Sequence, residues 1–142
     1  MINDGSYFNI ENSPLKIMGT YLWYGEGAFE AGKRDGIWNI YIIEDKSFKK
    51  ILSKVCQYTN GVQDGSFEYF YPNGNKAQTG AFVNDSIEGS STIFYLSGKV
   101  FGEQFFTRGK KNGLQKYYYE SGSVSFTVNY ENGYREGLYR GY

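Results

Sequence analysis

The sequence contains no histidine, one cysteine and two prolines among its 142 residues. Without histidine, a Ser–His–Asp triad, a Cys–His pair and every histidine-containing metal site are excluded. The single cysteine, Cys56, can form neither an internal disulfide nor a cysteine-rich zinc site, and no histidine is available to activate its thiol. We therefore expect a protein that is not an enzyme and that holds no metal and no cofactor.

Neither sign of charge is in excess, because 15 Lys and Arg residues balance 15 Asp and Glu residues. Nucleic-acid binding usually needs a basic surplus, so no nucleic-acid partner is expected. No apolar run approaches the roughly 18–20 residues of a membrane-spanning helix. Residues 1–14 lack the basic and apolar regions of a signal peptide, which predicts a cytoplasmic protein. A mature chain whose signal peptide had been removed would look the same.

Glycine and aromatic residues are abundant: there are 19 Gly, 15 Tyr and 11 Phe. The aromatic content supplies ample apolar surface to bury, which is not typical of a disordered chain. Tyrosine and phenylalanine favour strands, and glycine favours tight turns. The composition therefore favours an all-β protein.

A turn marker recurs along the chain, in which a glycine follows another small turn residue by four positions. The pairs are Gly32–Gly36, Gly61–Gly65, Asp85–Gly89, Gly109–Gly113 and Gly133–Gly137, at steps of 29, 24, 24 and 24 residues. A second marker, formed by Gly74, Gly98 and Gly122, has the same 24-residue period. Two independent markers with one period predict a repeat protein.

Each repeat reads as two strands joined by a tight turn, as in Ser66–Tyr71 followed by Asn75–Val83. Sequential hairpins with short loops form an antiparallel meander that grows by two strands per repeat. The predicted fold is an elongated, twisted, single-layer antiparallel β-meander of about five 24-residue hairpin repeats, in one domain spanning 1–142. The repeats are 5–35 (degenerate), 36–64, 65–88, 89–112 and 113–136, with a final strand at 137–142.

One segment also fits a helix. Phe48, Ile51, Leu52, Val55 and Cys56 follow the spacing of an apolar helical stripe. A hairpin is preferred for residues 46–56 because Tyr58 falls where the later repeats place Phe82, Phe106 and Tyr130.

Successive side chains of a strand point to opposite faces, so the repeat arranges its aromatic residues in columns. Tyr69 and Tyr117 are equivalent positions, with Ile93 between them, and Tyr71, Tyr95 and Tyr119 form a second column on the same face. The other face carries Tyr41, Phe70, Phe94 and Tyr118, and the intervening strands add Phe29, Tyr58, Phe82, Phe106 and Tyr130. A repeated ring is most often core. Even so, a single sheet with no helix to cover it is expected to leave part of an aromatic face exposed for binding. The candidate partner-binding residues are Tyr69, Tyr71, Tyr95, Tyr117 and Tyr119.

Four lysines, Lys46, Lys49, Lys50 and Lys54, cluster in the insertion of the second repeat. Lysines often serve solubility and discourage pairing at strand edges. They are also the residues through which contact with an anionic lipid or an acidic protein surface is expected.

The repeats resemble the bacterial variant of the MORN repeat. Its pattern is roughly Gly-x-aromatic-x-x-Tyr-Tyr-x-x-Asn-Gly-Lys, followed by a second strand that ends Tyr-x-x-Gly-x-x-x-Gly. The best copies are GSFEYFYPNGNKAQTGAFVNDSIEG (65–89) and GLQKYYYESGSVSFTVNYENGYREG (113–137). The resemblance is good over about 27–142 and loose over 1–26. Asp85 departs from the pattern by replacing its usual glycine, and the first two repeats carry insertions.

The resemblance implies an interaction scaffold with no catalytic centre of its own. Bacterial members include antitoxin or immunity components that act beside a toxin, and other members are linked to membranes or phospholipids. The leading hypothesis is a scaffold that occludes a protein partner, such as a toxin. The alternatives are a peripheral membrane or phospholipid binder and a surface repeat that stacks ligands on its rings. Homo-oligomers by edge or end pairing are also consistent with an open sheet.

Overall fold

The computed structural model describes residues 7–9, 21–44 and 46–142, and these residues form strands and turns without any helix. The strands are β1 (Tyr7–Asn9), β2 (Tyr21–Glu30), β3 (Lys33–Glu44), β4 (Lys50–Thr59), β5 (Val62–Phe70), β6 (Lys76–Val83), β7 (Ser86–Ile87), β8 (Gly89–Phe94), β9 (Val100–Thr107), β10 (Lys110–Lys111), β11 (Gly113–Tyr118), β12 (Val124–Glu131) and β13 (Tyr134–Gly141). All belong to one open antiparallel sheet in chain order, in which the short β7 and β10 pair only with β6 and β9. The predicted antiparallel β-meander is confirmed.

The segment that also fitted a helix is extended. Strand β4 covers most of residues 46–56 and pairs with β3 on one side and β5 on the other. The hairpin interpretation is therefore confirmed, and the apolar helical spacing was misleading. The predicted first repeat, 5–35, lies partly outside the described residues. In the part that is described, β1 pairs with β2.

Five hairpins share a two-residue turn in which both residues have positive φ. The turn pairs are Ala31-Gly32, Asn60-Gly61, Asn84-Asp85, Arg108-Gly109 and Asn132-Gly133, with φ between 48° and 86°. This is the geometry of a type I′ turn, whose twist matches that of the flanking strands. The last of these turns ends at Gly133, so β13 begins at Tyr134, before the predicted start at 137.

These turns lie next to one another at the same end of the strands. The backbone N–H of the second turn residue donates to a carbonyl beside the preceding turn, as from Gly61 to Arg34 at 2.9 Å and from Asp85 to Gln63 at 2.8 Å. The same bond recurs from Gly109 to Ile87 and from Gly133 to Lys111. Consecutive repeats are therefore joined at their turns as well as through their strands.

The core is a row of side chains that crosses one face of the sheet, here called the front face. The registers place Trp38 opposite Cys56, Cys56 opposite Phe67 and Phe67 opposite Gly80. Farther along the sheet, Ser91 lies opposite Gln104 and Gln115 lies opposite Val128. We call this set the central row: Trp38, Cys56, Phe67, Gly80, Ser91, Gln104, Gln115 and Val128. All of its members except Gly80 are buried.

Large rings cover the central row and require small neighbours. A Cβ atom at Gly80 would lie 2.8 Å from the Phe67 ring, and one at Gly102 would lie 2.7 Å from the Tyr117 ring. Both distances are shorter than a side chain tolerates, so these two strand positions need glycine. The opposite, back face carries many polar pairs, such as Thr79 opposite Thr92.

Candidate functional site

The candidate site is the front face, and its most regular feature lies beside the type I′ turns. Each of these turns is preceded by one aromatic residue of the front face. We call this set the aromatic row: Phe29, Tyr58, Phe82, Phe106 and Tyr130. The strands that carry successive members are two apart, which spaces the rings by about 10 Å. Phe29 is 44% exposed and the other four are half-buried. The row therefore offers one partly exposed ring per repeat.

The residues across the turns pair with this row. The registers set Arg34 opposite Phe29, Gln63 opposite Tyr58 and Ile87 opposite Phe82. Lys111 lies opposite Phe106, and Arg135 lies opposite Tyr130. The four intervals between the rings thus hold Arg34, Gln63, Ile87 and Lys111 in that order, and Arg135 follows the last ring. This sequence gives the row a mixed aromatic and basic surface.

Cations lie over several of the front-face rings. The Arg34 guanidinium is 4.8 Å from the centre of the Trp38 ring and 5.3 Å from that of Tyr58, and it donates to the Tyr58 hydroxyl at 3.1 Å. The Lys111 ammonium is 5.2 Å from the Tyr130 ring. Such contacts are favourable because the ring face carries negative quadrupole density. Sequence reasoning did not identify Arg34 as part of the site, because its partner Tyr58 is 24 residues away.

Two titratable side chains of this face, Cys56 and Tyr58, are packed in or against the hydrophobic core. Burial raises the pKa of the Cys56 thiol above its ordinary value, although the nearby Lys54 charge opposes this. Burial also raises the pKa of the Tyr58 phenol, against the Arg34 charge. Both shifts favour the neutral form at physiological pH. Among the described residues, no three Cys, Asp or Glu side chains are grouped so that they could hold a metal ion.

The predicted tyrosines lie on the front face in three different environments. Tyr69 is half-buried beneath the Lys54 ammonium, which is 5.1 Å from its ring centre. Tyr117 is only 7% exposed, stacks on Phe126 at 4.5 Å and accepts a hydrogen bond from Gln104 at 2.9 Å. Tyr117 is therefore a packing residue with little surface left for a partner.

Tyr71, Tyr95 and Tyr119 each bond to the next repeat. Their hydroxyls donate to the carbonyls of Phe94, Tyr118 and Tyr142 at 2.6, 2.7 and 2.7 Å. The acceptor lies 23 residues farther along the chain in every case. Tyr71 and Tyr95 are half-buried, whereas Tyr119 is 48% exposed. These tyrosines connect repeats, and their ring faces rather than their hydroxyls remain available to a partner.

The structure brings Tyr95 and Tyr117 together through Phe101, which sequence reasoning missed. The Phe101 ring centre is 5.1 Å from Tyr95 and 5.5 Å from Tyr117. Phe101 occupies an extra position in the register between β8 and β9, where Ile93 pairs with Gly102 and Phe94 pairs with Val100. Such a bulge changes the face on which a side chain lies. Simple alternation along the strand therefore does not predict this contact.

The four lysines of the insertion do not share one surface. The Lys54 ammonium lies on the front face near Tyr69 and Phe82. The Lys50 ammonium lies 4.4 Å from the Tyr41 ring, on the back face, and pairs with Glu26 at 2.9 Å. The hydrogen bond to Glu26 holds the pKa of Lys50 above its usual value. Lys46 and Lys49 are exposed in the turn between β3 and β4.

Comparisons with known proteins assign no family. No protein-family model matches the chain, and no curated protein matches it. Among solved structures it is similar to a chain from "Crystal structure of accessory secretory protein 1,2 and 3 in Streptococcus pneumoniae", with 19% identity and a TM-score of 0.22. The match covers 94% of this chain and 18% of that chain. A likeness at this level transfers no function. Within the described residues, no helix is long and apolar enough to cross a membrane.

Proposed function

We propose that this protein is a non-enzymatic repeat scaffold of the MORN type that binds a protein partner through its front face. The observation that supports this function is the aromatic row, which presents a partly exposed ring once per repeat with cationic residues between the rings. Aromatic and arginine side chains are enriched where protein interfaces gain most of their binding energy. The polar turns beside the row would form the rim of such an interface.

The mechanism proposed is steric. A sheet whose strands are joined by backbone hydrogen bonds presents its rings at fixed spacing and loses little conformational entropy on binding. A partner that docks along the row would have its own surface covered. This is the action expected of an antitoxin or immunity protein, and we propose that class for this chain.

The test compares two neighbouring phenylalanines on strand β9. Phe106 belongs to the aromatic row, whereas Phe105 pairs with Ser90 on the back face and is 48% exposed. A partner is first isolated from native lysate with the wild-type chain and then purified for calorimetric titration. Phe106→Ser is expected to weaken the affinity by about tenfold or more, because it removes a ring from the interface. Phe105→Ser should leave the affinity within about twofold.

Melting temperatures of both variants control for loss of folding. Equal effects of the two substitutions, or an unchanged affinity for Phe106→Ser, would count against the front face as the partner interface.

Tyr95→Ala combined with Tyr119→Ala tests the tyrosine column predicted from the sequence. A partner that binds this double variant as tightly as wild type would exclude that column from the interface.

Contact with an anionic membrane surface is the alternative function. Polybasic membrane segments typically carry about four to eight nearby cations. Here Lys50 is paired with Glu26 and Lys54 lies on the other face, which leaves Lys46 and Lys49 in the exposed turn. The charge arrangement therefore favours a protein partner over a membrane.

A further inference from the structure

A groove separates the β3–β4 turn from the β5–β6 turn. Its volume is about 310 Å³, and its apolar lining includes Ile51, Leu52, Phe70 and Pro72. The insertion in the second repeat lengthens the β3–β4 hairpin, whose strands have 12 and 10 residues against 9 and 8 in the β5–β6 hairpin. The longer hairpin supplies one wall of the groove, and the next turn supplies the other.

The rim of this groove is basic. Lys49 and Lys50 line it, and none of the described lining residues is acidic. Residues 46–54 contain four lysines and no Asp or Glu, in a chain whose net charge is zero. Lys50 is paired with Glu26, so Lys49 is the cation best placed to meet an incoming anion. An apolar floor with an ammonium group at its edge is complementary to an apolar side chain that has a carboxylate nearby.

Phe48, next to Lys49, is held in an unusual conformation at the tip of the same turn. Its φ is 56° and its side chain is 78% exposed. Three shorter hairpin turns place a glycine at the comparable position, which also donates its N–H back across the turn: Gly74, Gly98 and Gly122, with φ of 92°, 95° and 96°. Their N–H groups reach the carbonyl three residues back, whereas that of Phe48 reaches Glu44, four residues back. A bulky residue pays a steric cost in this region that glycine does not. The exposed ring therefore occupies a position where folding alone would favour glycine.

The chain contains a copy of this groove two repeats farther on. That groove is lined by Val100, Tyr118 and Glu120, which follow Leu52, Phe70 and Pro72 by 48 residues each. Its lining also includes a second acidic residue, Glu103. The copy is therefore partly acidic, whereas the first groove is basic and apolar. This difference makes the second groove an internal control.

We propose that the first groove binds a short acidic peptide segment that carries an apolar side chain, with the exposed Phe48 ring of the adjoining turn as a further contact. The apolar residue enters the groove between Leu52 and Phe70, and a neighbouring Asp or Glu meets Lys49. This binding surface is separate from the aromatic row of the front face. This peptide site goes beyond the proposed function, and a negative result for one leaves the other unaffected.

The test selects ligands from a phage library of random short peptides with the full chain as bait. The enriched peptides are expected to place Asp or Glu within a few residues of Leu, Ile or Phe. Affinities are then measured by fluorescence anisotropy with the synthesised peptides. Lys49→Glu should weaken binding by about tenfold, because it replaces an attraction by a repulsion. Lys99→Glu makes the same charge change in the second groove and should leave the affinity within about twofold.

Phe48→Gly should also weaken peptide binding, while circular dichroism and melting confirm that each variant folds. Phe106→Ser should bind the peptides normally, which separates failure of this inference from failure of the front-face interface. Selection of peptides without acidic residues would overturn the proposal, as would equal affinity for the Lys49→Glu chain. A third overturning result is binding only to vesicles of phosphatidylglycerol and phosphatidylcholine, with no acidic peptide selected.

Discussion

At the scale of single residues, the left-handed turn positions show where the repeat departs from its ideal sequence. The first residue of each type I′ turn has positive φ, and asparagine fills this position three times, at Asn60, Asn84 and Asn132. Asparagine tolerates this region better than most residues because its short amide bonds locally. Ala31 and Arg108 occupy it without that advantage, at φ of 51° and 52°. These two positions are therefore sites of avoidable strain.

Replacing Arg108 by Asn is expected to stabilise the protein. The exposed Arg108 side chain forms no ion pair among the described residues, so the main effect is relief of the left-handed strain. The expected gain in the free energy of unfolding is about 0.5–1 kcal/mol, measured by urea denaturation. The reverse swap, Asn132→Arg, is the matched control and should lower stability by a similar amount. A loss of stability for Arg108→Asn would show that strain does not dominate at this turn.

The Cys56 thiol is expected to be unreactive in the folded protein. It is buried in the central row, and desolvation raises its pKa, so little thiolate is present at neutral pH. At pH 8, alkylation by iodoacetamide should be at least about tenfold slower in the native chain than in urea. Because the folded pKa lies above the unfolded value, this thiol contributes stability below the unfolded pKa and loses it as pH rises through the folded one. Rapid native alkylation would contradict this burial.

At the scale of strands and hairpins, the tyrosines that directly follow β5, β8 and β11 connect neighbouring repeats. The hydroxyls of Tyr71, Tyr95 and Tyr119 each bond to a carbonyl of the following repeat. The 24-residue spacing was visible in the sequence, but the acceptors were not, because a backbone carbonyl has no sequence signature. The column that had been predicted to bind a partner therefore also contributes to the contact between repeats.

Tyr95→Phe removes only this inter-repeat hydrogen bond and keeps the ring. The expected loss in the free energy of unfolding is about 1 kcal/mol, because the Tyr118 carbonyl then loses a partner in a half-buried setting. Tyr119→Phe is the matched control, since the same bond there is exposed to water, and its cost should be smaller. Chemical denaturation of both variants makes the comparison. Equal costs would mean that burial does not set the strength of this bond.

A bulge explains why the lysines that cluster in the insertion do not share one surface. Lys50 and Lys54 differ by four positions, which by simple alternation puts them on the same face. In the β3–β4 register, Ile40 pairs with Lys54 and Tyr41 pairs with Leu52, so Ser53 is an extra residue. The bulge reverses the alternation, and the two ammonium groups lie over rings on opposite faces. A bulge depends on how two strands pair, and one strand's sequence does not reveal it.

At the scale of the whole molecule, the central row changes character along the sheet. Its first part is apolar, with Trp38, Cys56 and Phe67, and these three residues form the main hydrophobic cluster. Its later part is mostly polar, with Ser91, Gln104 and Gln115 ahead of the apolar Val128. Gln115 is fully buried and bonds both the N–H and the carbonyl of Phe105. Each repeat contacts mainly its neighbours, so stability is expected to vary along the sheet.

Trp38→Ala tests this local character. Removal of a fully buried tryptophan should cost about 3–5 kcal/mol. Hydrogen exchange measured by mass spectrometry should show the largest loss of protection in β2 to β5, whereas β11 and β12 should retain most of theirs. A uniform loss across all strands would show that the sheet unfolds as one cooperative unit.

The sequence by itself determined the repeat, the strands and the turns, because these depend on short-range features. Glycine and asparagine at the turns set the positive φ positions, and the alternation of side chains assigned Phe70 and Tyr71 to different faces. The 24-residue period then led to the antiparallel meander, and Tyr58 in its expected place indicated that residues 46–56 are extended.

Only the tertiary structure decided which of the repeated side chains are covered. Tyr117 and Tyr119 read alike in the sequence, yet Tyr117 is 7% exposed and Tyr119 is 48% exposed. The difference arises because Phe101 and Phe126 pack against Tyr117 from neighbouring strands. The basic groove beside Phe48 likewise depends on a hairpin and a turn that are distant in sequence. Burial and grooves are properties of several strands together, and they follow from register and bulges that the amino-acid pattern of one strand does not specify.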